Sequence, residues 1–275
     1  MPHLFTNRPR ISDLTRGGKP NVRADFRWET ANAVIYKAGG ALFVVGSVLF
    51  FPYFEEYQDI GCWLFFVGSL LYLIVTGHDM AEVRLFWGRN RLHSPRERLD
   101  YLAAWSYLTG TLLFTFGSLF FLSWWGWFTI AAWCFVIGSV LFVLGASLNV
   151  LQIVHQSSLV SLQLTNLTAI TFVVGSILFV VASIPYLWTF HCATDRYIVF
   201  NFLAWQYLAG SLLFLLGGVF NYYRAYLLMR NRLAGMESDP RADARMLAFM
   251  RGEIDADEYR ELERQAMPGR QRWHR

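Results

Sequence analysis

Apolar residues along this chain gather into six long runs, roughly 33–53, 60–77, 102–123, 127–149, 165–187 and 198–221. Each is close to the about 20 residues that carry a helix across a bilayer. Within the runs the pattern has a finer grain. With the Gly of a recurring Gly-Ser pair taken as zero, a small residue stands at minus seven, an aromatic at minus three and another aromatic at plus four. The copies are Gly39, Phe43, Gly46, Phe50; Gly61, Phe65, Gly68, Tyr72; Gly110, Phe114, Gly117, Phe121; Ala131, Phe135, Gly138, Phe142; Thr168, Phe172, Gly175, Phe179; and Leu203, Tyr207, Gly210, Phe214. Leu203 alone breaks the small-residue rule. Steps of four, three and four residues return to one face of a helix, so each run carries a stripe of alternating gap and ring. Helices in lipid associate through close backbone approach at small residues, with bulky neighbours filling the holes. Gly39, Gly46, Gly61, Gly68, Gly110, Gly117, Gly138, Gly175 and Gly210 therefore read as helix-packing positions.

Composition sharpens this reading. Of 275 residues, 55% are hydrophobic and only 16% charged, against about a quarter charged in a soluble domain. No Asp, Glu, Lys or Arg occurs from Tyr101 to Thr194. The expected fold is all-α and integral to a membrane, with the lipid bilayer as first partner. The short loops 54–59, 124–126 and 188–197 hold Arg196 as their only basic residue, against Glu55, Glu56, Asp59 and Asp195. Nearly all other Lys and Arg lie before the first run, between 78 and 101, or after Asn221, which places both termini in the cytoplasm by the positive-inside rule. The net charge of +4 reflects that asymmetry and does not point to nucleic acid. The first run lacks a cleavage signal and reads as a span.

The runs pair into hairpins. Trp63, Trp133 and Trp205 each stand five residues before the Gly of a return helix, so the repeating unit is two helices, and three such units in one orientation are parallel repeats. The third unit has 35 residues between its Gly-Ser pairs where the others have 22 and 21, which assigns about a dozen extra residues to the outer loop around His191–Arg196. Eleven residues past each return Gly come Asp79, Asn149 and Asn221, and three further on Glu82, Gln152 and Arg224. On continuing helices these are one-face pairs. They mark either helices leaving the membrane or a cytoplasmic polar ring where a partner or small ion docks.

The expected division is a cytoplasmic arm 1–28, a hairpin 29–83, a basic interfacial linker 84–101 with Leu85, Phe86, Trp87 and Leu92 on its apolar face, a hairpin 102–153, a polar linker 154–164, a hairpin 165–235 and a cytoplasmic tail 236–275. Helix six is expected to continue through Arg224 and Arg232 until Gly235 stops it. In the tail, Asp239-Pro240 starts one short helix, and Asp255 with Glu258 forms a capping box for a second. Leu247, Met250, Ile254, Tyr259 and Leu262 form its expected contact row.

The stretch Trp28–Val83, with YKAGGALFVVGSVLFFP followed by GCWLFFVGSLLYL, resembles the YrhK-like domain of small bacterial membrane proteins. Hairpins two and three look like degenerate copies of it. The resemblance implies a bacterial inner-membrane architecture and no particular chemistry. The tail's MLAFMRGEIDADEYRELERQ looks like the short two-helix module called SHOCT, which implies a contact role.

No HExxH, GxSxG, P-loop or dinucleotide motif is present. Cys62, Cys134 and Cys192 have no metal spacing and read as free thiols. His78 and His155 are the one pair that could be asked to hold haem, but they stand ten and 17 residues past their repeat glycines, at different heights. No cofactor is expected, and no enzyme. The leading expectation is a structural or accessory membrane protein acting through helix and tail contacts, as a homo-oligomer or in a larger membrane complex. The alternative is a small-solute or ion permease. The two differ in whether the Gly-Ser stripes are buried dry or line a wet path.

Overall fold

A computed structural model describes residues 22–89, 95–151 and 159–233, with single residues of the tail. Among the described residues six long helices follow one another: α1 (Val22–Val48), α2 (Gln58–Arg89), α3 (Pro95–Phe120), α4 (Phe128–Val150), α5 (Leu159–Ser183) and α6 (Ala193–Leu233). Short 3-10 turns, Pro52–Tyr57 and Ile184–Leu187, lie in the loops of the first and third hairpins. In the second loop Gly126 adopts φ +66°, a left-handed backbone that side chains rarely accept, and this lets the chain reverse between Trp125 and Trp127.

The helices begin and end further from the hairpin tips than the apolar runs do. Val22–Trp28 belongs to α1, so the arm reduces to residues 1–21, which lie outside the described residues. The segment 84–101 is not one interfacial helix. Its first part, through Arg89, continues α2, and its last part opens α3 at Pro95, where a proline costs nothing because the first helical N–H has no intrahelical acceptor. Leu92 lies outside the described residues. Residues 159–164 likewise open α5 and are not linker. Helix α6 does continue, as far as Leu233.

Each helix packs on its neighbours in sequence, and α6 returns to pack on α1, so the six form a closed ring. Rings from all three hairpins fill its centre. Phe65 lies 6.2 Å from Phe135 and 6.3 Å from Phe179 between centroids, Phe114 lies 5.6 Å from Phe179, and Phe142 lies 6.3 Å from Phe214. These are edge and tilted contacts at distances where aromatic pairs attract. The outside is aliphatic, with Val67, Ile74, Ile137, Val140, Leu144, Val181, Leu212 and Leu216 all exposed. Trp63, Trp133 and Trp205 are exposed too. Such an exterior is unsuited to water and suited to lipid, with Trp near an interface.

Five helices, α1, α2, α4, α5 and α6, are long and apolar enough to cross a membrane. Helix α3 is as long but opens on Arg96, Glu97, Arg98 and Asp100 and carries hydroxyls along its length. Ser106, Thr111, Thr115 and Ser118 each donate to the backbone carbonyl four residues earlier, at 2.7–2.8 Å. A hydroxyl bonded back to its own helix costs far less in lipid than its hydropathy value implies.

Candidate functional site: the small-residue crossings and the buried polar mouth

The crossings follow from what is absent at each glycine. A Cβ on Gly39 would meet the Gly68 carbonyl at 3.0 Å, and one on Gly68 the Gly39 carbonyl at 3.1 Å. Gly110 and Gly138 face each other in the same reciprocal way, at 3.0 and 3.1 Å, as do Gly175 and Gly210, both at 3.1 Å. One stripe step away, Gly46 faces the Gly61 carbonyl at 3.1 Å, and Gly117 faces Cys134 and the Ala131 carbonyl at 3.0 and 3.4 Å.

These pairings correct the register read from sequence in the third hairpin. In the first two hairpins the return Gly at zero faces the outgoing Gly at minus seven. Gly210 faces Gly175, so Gly175 is the minus-seven residue of α5 and Ala182 its zero. The outgoing stripe is then Phe172, Gly175, Phe179, Ala182, Tyr186, matching Tyr36, Gly39, Phe43, Gly46, Phe50 and Tyr107, Gly110, Phe114, Gly117, Phe121. Thr168 drops out of the stripe, and the extra loop shrinks from about a dozen residues to about seven. FVVGS at 172–176 and FVVAS at 179–183 are seven residues apart and nearly identical, so the sequence pattern alone favoured the copy with a glycine. The same register explains Leu203, which falls opposite Ala182, a small partner that leaves room for it; both are buried.

Polar side chains collect at the end of the ring away from the short loops. Asp79, Glu82, Asn149, Asn221 and Arg224 are all buried there, and Gln152 lies outside the described residues. The Arg224 Nη2 donates to Asn221 Oδ1 at 3.1 Å, the one-face pair expected from their spacing. The Asn149 Nδ2 donates across its hairpin to the Tyr107 hydroxyl at 2.9 Å. Beside them the His78 Nε2 lies 3.8 Å from Glu82 Oε1, and Trp28 covers the imidazole with centroids 4.5 Å apart. Lys37 Nζ stands 4.4 Å over the Tyr222 ring, so α1 and α6 share a cation–π contact.

Reasoning from the return helices missed what the outgoing helices bring. Asn32 and Thr168, each fourteen residues before the zero of its stripe, are buried at the same end. So are the Tyr36 and Tyr107 rings, with Tyr36 stacked at 4.3 Å on Tyr72 of the return helix α2. The signal was present as a polar residue on the core face two heptads before the Gly. For α5 it was hidden by the register error.

At the loop end the hairpins are tied together by different means. Asp59 of α2 accepts hydrogen bonds from the Ser123 backbone N–H, at 3.0 Å, and from the Ser123 hydroxyl. Arg196 of α6 pairs with Glu55 at 3.7 Å on the surface. Cys192 is exposed in the third loop, and its thiol is held below the usual thiol range by backbone N–H groups of Asp195 and Thr194 that stabilise the thiolate. Cys62 is buried. In the tail, Asp255 Oδ1 accepts from the N–H groups of Asp257 and Glu258, at 2.9 and 2.8 Å, as a capping residue does. Leu262 falls in a helical segment, while Leu247, Met250, Ile254 and Tyr259 lie outside the described residues.

Among the described residues no group of three or more His, Cys, Asp or Glu side chains converges as metal ligands would. His155 lies outside the described residues, so the haem pairing finds no geometry. What the arrangement offers is a filled ring with a polar mouth, in which Arg224 is bonded to the Asn221 amide and Glu82 lies beside the His78 imidazole.

No curated protein and no solved structure matches the chain. The family model described as YrhK-like protein matches it twice, over residues 26–83 and over residues 97–154. Each match spans one hairpin, α1–α2 and then α3–α4, so the first two hairpins of this chain are YrhK-like units in tandem.

Proposed function

We propose that this protein is a structural or accessory component of the bacterial cytoplasmic membrane, with six spans, three parallel hairpin repeats and both termini in the cytoplasm. The observation that carries this reading is the packed aromatic centre. Phe43, Phe65, Phe114, Phe135, Phe179 and Phe214 fill the ring from all three hairpins, which leaves the exterior and the tail as the surfaces for partners. The α5–α6 hairpin enters as a third, diverged copy because its Gly175–Gly210 crossing repeats the other two. Orientation is supported by exposed Arg27, Arg84 and Arg98 at the polar end, against the acidic residues of the loops. The SHOCT-like tail, with the row Leu247, Met250, Ile254, Tyr259 and Leu262, supplies a contact too small to bury a stable core alone.

Removing residues 236–275 is the test. The truncated protein should insert and fold, yet run in a complex whose mass changes by more than the deletion itself. Equal complexes and equal co-purifying partners would remove the tail from this role. The permease reading has one observation in its favour, the buried Asp79, Glu82 and Arg224 at the mouth, since ionisable groups inside a bundle commonly mark solute paths. Solute-specific flux into proteoliposomes, lost in Asp79→Asn, would decide for it.

A further inference from the structure

The walls between hairpins follow one plan but finish differently at the polar end. On the α2–α3 wall, Met80 and Val83 of α2 pack on Ala104 of α3, with Tyr101 and Leu108 against them, as a cluster separate from the main core. Trp87 and Tyr101 close this cluster with ring centroids 4.8 Å apart, and the Trp105 Nε1 donates to the Tyr101 hydroxyl at 3.3 Å. Arg84 stands three residues before Trp87 and Arg98 three before Tyr101, so each arginine shares a helix side with one of the two rings. Arg84 lies five residues before the end of α2 and Arg98 three after the start of α3, which sets them at nearly one level. Side chains lean toward the N-terminus of their own helix, so on this antiparallel pair the two arginines lean toward each other. Both are exposed. Among the described residues no ion pair engages either guanidinium, and the acidic neighbours Glu97 and Asp100 have interactions of their own. Counted from the stripe zeros, the positions of Arg84 and Arg98 correspond to Val154 and Gln163 on the α4–α5 wall and to Tyr226 and Arg27 on the α6–α1 wall. The α2–α3 wall is thus the one with a cation on both helices at these positions.

We propose that the polar end of the α2–α3 wall is a binding site for one anionic phospholipid, with Arg84 and Arg98 holding the headgroup phosphate and the wall below them carrying an acyl chain. Three features of the wall fit that ligand together. Guanidinium forks match the oxygens of a phosphate and stay charged at any working pH. Trp87, Tyr101 and Trp105 stand beside the arginines, and such amphipathic rings settle at the level of lipid headgroups. Toward the loop end the surface is apolar and low on the α2 side, since Ala81 is exposed and a Cβ on Gly77 would meet nothing within 4 Å, while Leu112 is exposed on α3. A free phosphate would use the arginines alone, whereas a phospholipid uses the arginines, the rings and the apolar strip. A zwitterionic headgroup would bring an ammonium beside two guanidinium groups, so the site favours net negative charge, as basic pockets between spans do. This inference rests on the bundle being embedded in lipid. It stands whichever side of the membrane the termini occupy, and whether the protein is an accessory factor or a permease.

The experiment titrates the full-length protein, exchanged into mild detergent, with palmitoyl-oleoyl phosphatidylglycerol and separately with phosphatidylcholine of the same chains, and counts bound lipid by native mass spectrometry. The first phosphatidylglycerol should bind at least about tenfold more tightly than the first phosphatidylcholine. Arg84→Gln and Arg98→Gln should each weaken it about fivefold, the worth of one basic residue beside an anionic headgroup, and the double variant about 25-fold. The double Lys variant, Arg84→Lys with Arg98→Lys, should keep most of the affinity, since the charge remains. Both side chains are exposed, so all these variants should elute as the wild type does. Arg27→Gln removes an exposed arginine with no second cation at the matching position of its wall, and should change nothing. Equal binding of the two lipids would overturn the proposal, as would a double Gln variant that binds like the wild type. A loss in Arg27→Gln as large as in Arg84→Gln would do so too, because the attraction would then belong to the whole basic surface. Displacement of the lipid by millimolar inorganic phosphate at constant ionic strength would make this a free-anion site and refute the lipid assignment. Each of these failures leaves the tail-truncation result untouched, so the two readings fall separately.

Discussion

Adding one methyl group at Gly110 and one at Gly77 should have opposite consequences, although both glycines lie in long helices. A Cβ at Gly77 meets nothing within 4 Å, so Gly77→Ala should gain up to about 1 kcal/mol from helix propensity alone. A Cβ at Gly110 meets two atoms of the Phe142 ring at 2.8 and 2.9 Å and the Gly138 carbonyl at 3.0 Å. The ring cannot retreat freely because it is buried against Phe114, 5.1 Å away, and Phe214, 6.3 Å away. The carbonyl is backbone, so relief requires α3 and α4 to part along the crossing. Overpacking of this kind costs about 1–3 kcal/mol. The propensity gain is common to both variants and cancels in their difference, so Gly110→Ala should be about 1–3 kcal/mol less stable than Gly77→Ala. Gly138→Ala should behave like Gly110→Ala, and the double variant should cost less than the two together, since the first methyl already separates the helices. Reversible unfolding in mixed detergent micelles, followed by far-UV circular dichroism, measures all four. Equal stability of Gly110→Ala and Gly77→Ala would refute the close crossing, and strict additivity at 110 and 138 would refute their reciprocal contact.

Two further perturbations test features that are independent of that crossing. Ala182→Leu should destabilise the bundle clearly, because Ala182 is buried opposite Leu203, while Val181→Leu on the exposed face should not; the reverse order in the same unfolding assay would return the zero of the fifth stripe to Gly175. Cys192, exposed and with its thiol pKa lowered, keeps more thiolate at a given pH than an ordinary cysteine. A membrane-impermeant maleimide added to intact cells should therefore label it, with a rate that rises with pH and levels off earlier than for a reference thiol, while Cys62 reacts only after unfolding. Labelling of Cys192 only in inverted vesicles would reverse the topology.

Much of this architecture was legible because its instructions are local and periodic. A small residue and a ring alternating on one helix face can be read without knowing the partner, and the nine glycines singled out that way all have atoms of another helix within contact distance of an added Cβ. The polar mouth was half legible for the same reason. Asn221 and Arg224 sit one turn apart and do bond, whereas the Asn149–Tyr107 bond joins two helices and leaves no periodic trace. Helix ends were read short because hydropathy follows the lipid, and hydrogen bonding continues past it: α2 runs through Arg84 and Arg89 on backbone bonds that do not need an apolar setting.

The error in the third hairpin shows what a periodic signal cannot hold. A stripe repeated every seven residues can slide by seven and still present small residues and rings to the same face, so FVVGS and FVVAS both satisfy it, and composition favours the one with glycine. Only the opposing helix breaks the tie. If Gly175 were the zero, Gly210 would face Thr168 at minus seven, and the reciprocal Gly–Gly approach that the other two hairpins share would be lost. In the observed register Gly175 meets Gly210, and Leu203 falls opposite Ala182. The pairing of a large residue on one helix with a small one on the other is a property of the interface. In a chain built from near-copies it is also what keeps each hairpin from settling two turns out of place, where the stripes would still look complementary but Gly210 would meet Thr168 and lose its glycine partner.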